Sequence, residues 1–517
     1  MKVLFLQESP MYEALGIHAL AGVVKAAGHE CDLLIESEER DFIGQIEDAK
    51  ADLLAFSFMT RQQEWAINKI NKIRRGLDVP ILIGGTHPTM YPETLSHCNA
   101  DYLCVGEGEQ PVVDLLNRMA IKGRTDNIPN IHIKSPDGGI IKNEIRPLMD
   151  DWDNVAMPDR TIYWRYPFLQ ELPLKRFITS FGCAYKCSFC YINNYREIYD
   201  GKGKFFRRKS IPRVIAEMKA TREKYPLRRI HYVDDIFSLS KTWVEKFLPI
   251  YWKEIGIPWS ANIWIAHMSR KMVELFKENG CVGLTFGVES GNEKTRRGLI
   301  DKDLADDLYL KNCGYLKEYK IPFHTGNIIG LPGEGLEEAF QTARFNNTIG
   351  VTSARSALFW PFPGTKLTEY AMDHGMLTSD YSVEYFNRGI YPTVTHKDTE
   401  KLKIFNNMFQ FVAKWSLFEG AARFLLKWPA NPIVKLVATL ADKSFWFSEA
   451  KFFGLLNWSG IVYWWHLRQS FMNIRRHTAD PRFENDALAQ RPFWNISQSD
   501  LDRITSKQTN PNRDGIT

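Results

Sequence analysis

Three cysteines fall within one short stretch, Phe177-Ile178-Thr179-Ser180-Phe181-Gly182-Cys183-Ala184-Tyr185-Lys186-Cys187-Ser188-Phe189-Cys190, in a C-x3-C-x2-C spacing directly after an apolar, β-prone run. Thiolates at this spacing suit a cubane iron–sulfur cluster, which ordinarily takes four protein ligands. Three ligands leave one iron open to a group from outside the chain. A structural zinc site wants four ligands in paired spacings, and no second pair stands nearby. The chain is therefore expected to present a strand end on which three reduced thiols face a ligand-sized space.

The rest of the composition agrees with a reducing setting. Eight cysteines in 517 residues make no disulfide framework, and Cys31, Cys98, Cys104, Cys281 and Cys313 lie in segments that read as packing. With 25% charged and 44% hydrophobic residues the chain reads as globular, long enough for two or three domains. A net charge of +5 over this length does not argue for nucleic acid. Met1-Lys2-Val3-Leu4-Phe5-Leu6 is too short an apolar run for a signal peptide and reads as a first strand. No uninterrupted apolar stretch of about 18 residues occurs, so no spanning helix is predicted. A cytoplasmic, low-oxygen location follows.

The chain predicts an α/β protein. Apolar runs at 2–6, 31–35, 52–57, 80–85 and 102–105 alternate with helical patterns, which implies β-α-β units and a doubly wound, Rossmann-like parallel sheet over residues 1–140. Ligands of such sheets sit at the carboxyl ends of the strands, where Ser57-Phe58-Met59-Thr60, Gly84-Gly85-Thr86-His87 and Gly106-Glu107-Gly108-Glu109 fall. Residues 141–170, part of a Pro- and Asp-rich stretch, read as an irregular linker. From 171 to 385 six strand–helix units predict a partial (β/α)6 barrel of the TIM type, with polar residues Asp234, Asp235, Glu289 and Ser290 at strand ends. Residues 386–480 read as a mostly helical C-terminal region, and 481–517 as a polar mobile tail.

With Phe189 before its last cysteine, the cysteine loop resembles that of the radical S-adenosylmethionine (SAM) enzymes, whose open iron binds the amino and carboxylate groups of SAM. The order of later elements resembles the same family: Asp234-Asp235, the G-x-E-S element at Glu289-Ser290, the loop Gly330-Leu331-Pro332-Gly333-Glu334, and Pro361-Phe362-Pro363-Gly364-Thr365. The resemblance implies a [4Fe-4S] cluster on Cys183, Cys187 and Cys190, and SAM contacts from Asp234, Asp235, Glu289, Ser290, Gly330, Pro332 and Gly333. The first 140 residues resemble the cobalamin-binding domain of the cobalamin-dependent subclass. This implies cobalamin contacts from Ser57, Met59, Thr60, Arg61, Gly84, Gly85, Thr86, His87, Glu107, Gly108 and Glu109. The D-x-H-x-x-G element of cobalamin mutases is missing: the nearest stretch, Gly16-Ile17-His18-Ala19-Leu20-Ala21, lacks its Asp and its Gly. Cobalamin is thus expected without a protein imidazole, with Met59 or Arg61 near its lower face, His87 bordering it, and His18 as a packed or solvated helix residue.

The resemblance implies reductive SAM cleavage to a 5′-deoxyadenosyl radical and methyl transfer from methylcobalamin to an unactivated carbon of a small, apolar substrate. Two alternatives stand beside it: an anaerobic oxidative cyclase of the magnesium-porphyrin type, and a non-catalytic cobalamin-binding sensor. An external electron donor of flavodoxin or ferredoxin type is implied, and no nucleic acid. The aromatic C-terminal region, with Lys and Arg between its Trp and Phe residues, reads either as helices covering the open side of the barrel, as an apolar substrate pocket, or as a peripheral membrane contact.

Overall fold

The structure, a computed structural model, describes residues 1–10, 13–135, 137, 139–377, 394, 398–429 and 431–477. The expected tail at 481–517 and the expected boundary near 385 lie outside the described residues.

The first strand, β1 (Lys2–Gln7), is an apolar run buried along nearly its whole length because it pairs on both sides, with β2 (Glu30–Ile35) and with β3 (Leu53–Ser57), each in parallel. The helix Leu15–Ala26 crosses from β1 to β2, and Gly28 at φ +80° provides the left-handed turn after it. The sheet continues through β4 (Ile81–Gly84) and β5 (Tyr102–Cys104) to β6 (Ile131–Lys134) and β7 (Ile140–Ile141), in the order β2-β1-β3-β4-β5-β6-β7. The chain winds one way from β1 to β2 and the other way from β1 to β3, so the switch point lies between β1 and β3. Strands β6 and β7 are antiparallel additions. They extend the sheet to the start of the stretch expected as an irregular linker. Asn130, buried at φ +69°, starts β6 by donating to Val105 O (2.7 Å) and accepting from Arg146 N (3.0 Å).

The expected linker at 141–170 is irregular but not loose. Tyr163 is fully buried, its hydroxyl donating to Gln7 Oε1 (2.7 Å) and accepting from Ala14 N (2.8 Å). Arg160 pairs with Glu13 at 2.8 Å, and Lys175 reaches the same carboxylate at 3.3 Å, all three buried. Burial opposes the charged form of Glu13, but the two cations beside it hold its carboxyl below the usual range.

The second sheet has six parallel strands in the order β15-β14-β13-β12-β11-β8. These are β8 (Leu174–Phe177), β11 (Arg229–Tyr232), β12 (Trp259–Asn262), β13 (Cys281–Glu289), β14 (Phe323–Ile329) and β15 (Ser353–Leu358), the first starting three residues earlier than the apolar run suggests. Between β8 and β11, the short β9 (Ser180–Phe181) leaves the barrel and pairs antiparallel with β10 (Arg207–Arg208). Alternation along the strands puts Ile230, Tyr232, Trp259, Leu284, Phe286 and Phe323 in the core under the helices, and turns His231, Ser260, Thr285 and His324 inward.

The C-terminal region packs along β15, the strand at the barrel's open edge. The helix Thr399–Lys414 lies against β15 and the helix Leu336–Ile349, and the helix Pro432–Phe452 lies on it. Phe452 then enters the amino-terminal end of the barrel, 3.8 Å between ring centroids from His324, where a Cβ on Gly283 would come within 2.5 Å of its ring. Phe453 sits edge-on to His231 at 5.2 Å. These rings stopper the end of the barrel opposite the cysteine loop.

Candidate active site

The carboxyl ends of both sheets face each other. Tyr91, after β4, donates its hydroxyl to Pro363 O (3.1 Å), after β15. Glu107 N, after β5, donates to the hydroxyl of Tyr199 (3.0 Å), which caps the carboxyl end of the helix Ile192–Ile198 that follows the cysteine loop. Gly106 is left-handed at φ +80°, and a side chain there would overlap that tyrosine. The Glu107 carboxylate pairs with Arg207 at 2.6 Å and accepts from Met149 N at 2.9 Å. This corrects the expectation for Glu107: its oxygens are taken up in joining the two domains.

The cysteine loop is built by neighbours on its backbone, which leaves its sulfurs to point elsewhere. Arg196 donates to Cys183 O and to Tyr185 O, Asn193 Nδ2 donates to Cys187 O (2.9 Å), and Ser188 N and Oγ donate to Ile300 O and Leu299 O. Cys183, Cys187 and Cys190 are free thiols. Burial pushes Cys187 up to about 11 and Cys190 to about 12, so a bound cation is needed to hold them as thiolates at neutral pH. Among the described residues no three His, Cys, Asp or Glu side chains converge on one point as ligands of a single ion do. The thiolates of a cubane each bind a different iron, so three separated soft donors on one loop fit a cluster.

Asp234 is corrected. It is fully buried and accepts from Thr179 N (3.1 Å), Thr179 Oγ1 (2.7 Å) and Ser180 Oγ, so it fastens the strand that carries the cysteine loop and does not face the barrel mouth. Asp235 does face it, open to solvent in a recess whose walls, with the Asp234 carboxylate, raise it to about 6.

Glu289 ends β13 at φ +67°, a conformation costly for a residue with a side chain and common where function demands it. Its Oε1 accepts from Lys302 Nζ at 3.0 Å; the same ammonium donates to Gly287 O (2.7 Å) and lies 4.7 Å over the Trp264 ring. Trp264 stacks on Tyr185 of the cysteine loop at 3.8 Å, and the Tyr185 hydroxyl meets His267 Nε2 at 2.9 Å. Burial alone would lower the pKa of Lys302, but the Glu289 carboxylate and Tyr309 raise it overall. Ser290 is buried and donates to Glu334 Oε1 (2.9 Å), tying the end of β13 to the Gly330–Glu334 loop rather than facing the mouth. Arg296, fully buried, donates to Ser290 O (2.7 Å), to Leu304 O (2.9 Å) and to Asp306. Gly330 and Gly333 are left-handed, and a Cβ on Gly333, or on Gly326 inside the barrel, would meet nothing within 4 Å. Gly326 pairs with Gly287, whose carbonyl Lys302 holds, so open space adjoins the Glu289–Lys302 pair, which suits a polar ligand with an ammonium or hydroxyl groups. Lys302, Arg296, Trp264 and Arg196 were not expected from the sequence, where they stand in no recurrent spacing.

At the first sheet's edge, Met59 is 44% exposed and Arg61 is exposed, while Ser57, Gly84 and Thr86 are half-buried. Gly85 is needed for a reason other than the expected one: at φ +95° its Cβ would lie 2.8 Å from Phe58 N, so the close approach is to its own chain. His87 is fully buried with its ring nitrogens 3.2 Å from Thr60 Oγ1 and Thr94 Oγ1, which corrects its placement, and that of buried Thr60, beside a cofactor. His18 is fully buried edge-on against Tyr163, a packed residue. Neither imidazole reaches the edge, and the open strand ends beside Met59 and Arg61 fit a corrin held without one. Glu109 opens the helix Glu109–Ala120, where burial and the Glu107 carboxylate raise it to about 7. Gly108 precedes it, its Cβ position 3.3 Å from Leu20.

Fold and site together define a two-domain α/β enzyme with a three-thiol loop at a barrel mouth, fronted by the switch edge of a doubly wound domain. The family described as "B12 binding domain" matches residues 3–116, and the "Radical SAM superfamily" matches residues 177–345. The chain belongs to the cobalamin-dependent radical SAM enzymes. An uncharacterised methyltransferase of Pyrococcus horikoshii is 27% identical over 315 residues, covering 60% of this chain and 67% of the relative. Cytidylyl-2-hydroxyethylphosphonate methyltransferase of Streptomyces wedmorensis is 23% identical over 342 residues, covering 58% and 62%. The chain thus aligns with about two thirds of the length of these relatives. The solved structure of apo OxsB, a cobalamin-dependent SAM radical enzyme, shares the fold with a TM-score of 0.66 at 14% identity, covering 98% of this chain and 80% of that one. No described helix is long and apolar enough to cross a membrane.

Proposed function

We propose that this enzyme transfers a methyl group to an unactivated carbon of a small molecule, using a [4Fe-4S] cluster on Cys183, Cys187 and Cys190, SAM in the barrel mouth, and cobalamin at the edge of the first sheet. The observation that carries the reading is the opposition of the two carboxyl edges, held by Tyr91 to Pro363 and by Tyr199 to Glu107. When bound, the cluster supplies the electron that cleaves SAM, and the corrin supplies a transferable methyl group.

The chain's own residues do the positioning. Lys302 fixes the Glu289 carboxylate, whose free lone pairs accept from an ammonium or ribose hydroxyls. Asp235 adds a second acceptor, and the glycines of the Gly330–Glu334 loop leave room for a flat base. Phe452 and Phe453 block the far end of the barrel, so substrate enters from the side of the mouth. The methyltransferases among the relatives favour methyl transfer over oxidative cyclisation, and the Glu289–Lys302 site favours turnover over a sensor. The proposal includes a cytoplasmic location and an electron donor of the flavodoxin or ferredoxin type.

The test is anaerobic reconstitution with iron, sulfide and cobalamin, followed by SAM and dithionite. 5′-Deoxyadenosine and S-adenosylhomocysteine are expected, the second reporting remethylation of the corrin. A cluster-loaded protein that forms neither overturns the reading. Cys187→Ala is expected to lose the brown colour and the iron; full iron content in that variant removes the cysteine assignment.

A further inference from the structure

The helix Pro432–Phe452 begins Pro-Ile-Val-Lys-Leu-Val-Ala-Thr-Leu-Ala, and in this first half both of its faces are apolar. Val434, Ala438 and Ala441 are buried against the helix Thr399–Lys414. Ile433, Leu436, Val437 and Leu440, at helical i, i+3, i+4, i+7 spacing, point outward, each between 37 and 66% exposed. A helix apolar all round belongs in a core or at a boundary with something that is not water. The preceding segment, with the helix Phe418–Leu425, also turns apolar residues outward: Leu417, Phe424 and Trp428 are each more than half exposed. Single exposed apolar residues need no explanation, but a run of them on two consecutive helices does.

The charges beside this surface are a mixed ion-pair cluster and two lysines set against rings. Arg423 is paired with Glu337 as well as Glu419, both at 2.8 Å, which leaves Lys414 and Lys427 as the cations set against exposed rings. Glu419 is taken by Arg344 and Arg423 at 2.7 and 2.8 Å. Lys414 lies over the Trp415 ring at 4.7 Å and Lys427 near the Phe424 ring at 5.8 Å. Apolar stems and rings with ammonium groups at their margin match the boundary between acyl chains and headgroups. A second copy of the chain fits less well, since a two-fold pairing through this surface would oppose the same basic residues.

We propose that the surface formed by Leu417, Phe424, Trp428, Ile433, Leu436 and Leu440 seats the enzyme on an anionic lipid bilayer. The helix Pro432–Phe452 touches β15, the edge strand of the barrel, and the helix Phe418–Leu425 packs on the helix Thr399–Lys414 that lies against the same strand, so the docked enzyme has an edge of its substrate barrel near the membrane.

The experiment is co-sedimentation of the full chain with vesicles of phosphatidylcholine alone or with a third phosphatidylglycerol. Binding to the anionic vesicles is expected, weakened roughly tenfold by Leu436→Glu together with Leu440→Glu, and weakened by Lys414→Gln with Lys427→Gln or by raised salt. Circular dichroism and cobalamin uptake, expected unchanged, show that the variants fold. Three outcomes overturn the proposal: no binding of the wild type to either vesicle, equal binding of wild type and Leu436→Glu/Leu440→Glu, or a dimer in light scattering that this variant abolishes. Vesicle binding that appears only when residues 478–517 are removed also overturns it, because that segment would then be the natural cover.

Discussion

Thr179 and Asp234 are joined across 55 residues of sequence: the amide of Thr179 donates to both carboxylate oxygens of Asp234 (3.1 and 3.3 Å) and its hydroxyl donates to Oδ1 (2.7 Å). With Ser180 Oγ on the same oxygen, the carboxylate draws the chain out of the barrel ladder just before the cysteine loop. Hydrogen bonds to a buried charge contribute about 1.5–3 kcal/mol each. Asp234→Asn puts an amide where three donors converge. Iron uptake on reconstitution is expected to fall severalfold and the melting temperature to drop, while cobalamin affinity, measured by absorbance titration, stays put. Unchanged iron content would return Asp234 to the list of ligand-facing residues.

Glu289→Gln keeps the shape and the left-handed backbone but removes the charge that Lys302 and a bound ammonium or ribose share. Loss of one charge-assisted hydrogen bond is expected to weaken SAM binding about 10- to 100-fold. Equilibrium dialysis of SAM against the cluster-loaded protein measures it, with cobalamin binding as control. Equal loss of both ligands would place Glu289 in a structural role.

The strands were readable because parallel strands buried on both faces are written as apolar runs, and Lys2–Gln7 or Cys281–Glu289 cannot be much else. The cysteine loop was readable because its three thiols are local in sequence. What the sequence hid is non-local. Nothing near Asp234 says that its partners are Thr179 and Ser180, so a strand-end aspartate reads as a ligand-facing one. Glycines are ambiguous for the same reason: Gly85 and Gly106 look like cofactor glycines, yet the structure spends them on Phe58 and Tyr199. Lys302 was invisible because a lysine in a loop is usually solvated, and only the fold lays it over Trp264.

Arg207 and Glu107 bind the two domains from opposite edges of the cleft, Arg207 also donating to Met149 O at 2.6 Å. Arg207→Met leaves the half-buried Glu107 carboxylate without its cation, a loss of about 1–3 kcal/mol, whereas adding Glu107→Leu removes the unpaired charge and recovers most of it. Thermal denaturation of both single variants and the double variant closes the cycle. Limited proteolysis near Asp150–Asp153 is expected to speed up in Arg207→Met alone. Additive losses would mean that the pair is not coupled across the domains.

His18 offers a test by pH. Its two ring nitrogens have no hydrogen-bond partner, and burial, with Arg160 next in effect, holds its pKa down to about 3, against 6.5 when free. The folded chain therefore keeps the ring neutral while the unfolded chain takes up a proton below about 6.5. Stability from this group is complete above that pH and is lost as the pH falls toward 3, at about 1.4 kcal/mol per pH unit. His18→Leu fills the same space without a titrating group. At pH 7.5 the variant is expected to match or exceed the wild type, since it buries no unsatisfied nitrogen. At pH 5.5 its advantage is expected to grow by about 1.4 kcal/mol. Urea denaturation of the apoprotein at the two pH values measures this through the shift in midpoint. Cobalamin uptake is expected to be unaffected, as befits a histidine packed on Tyr163 rather than turned to the sheet edge; a parallel loss of stability in both proteins between pH 7.5 and 5.5 would mean that His18 is charged in the folded chain.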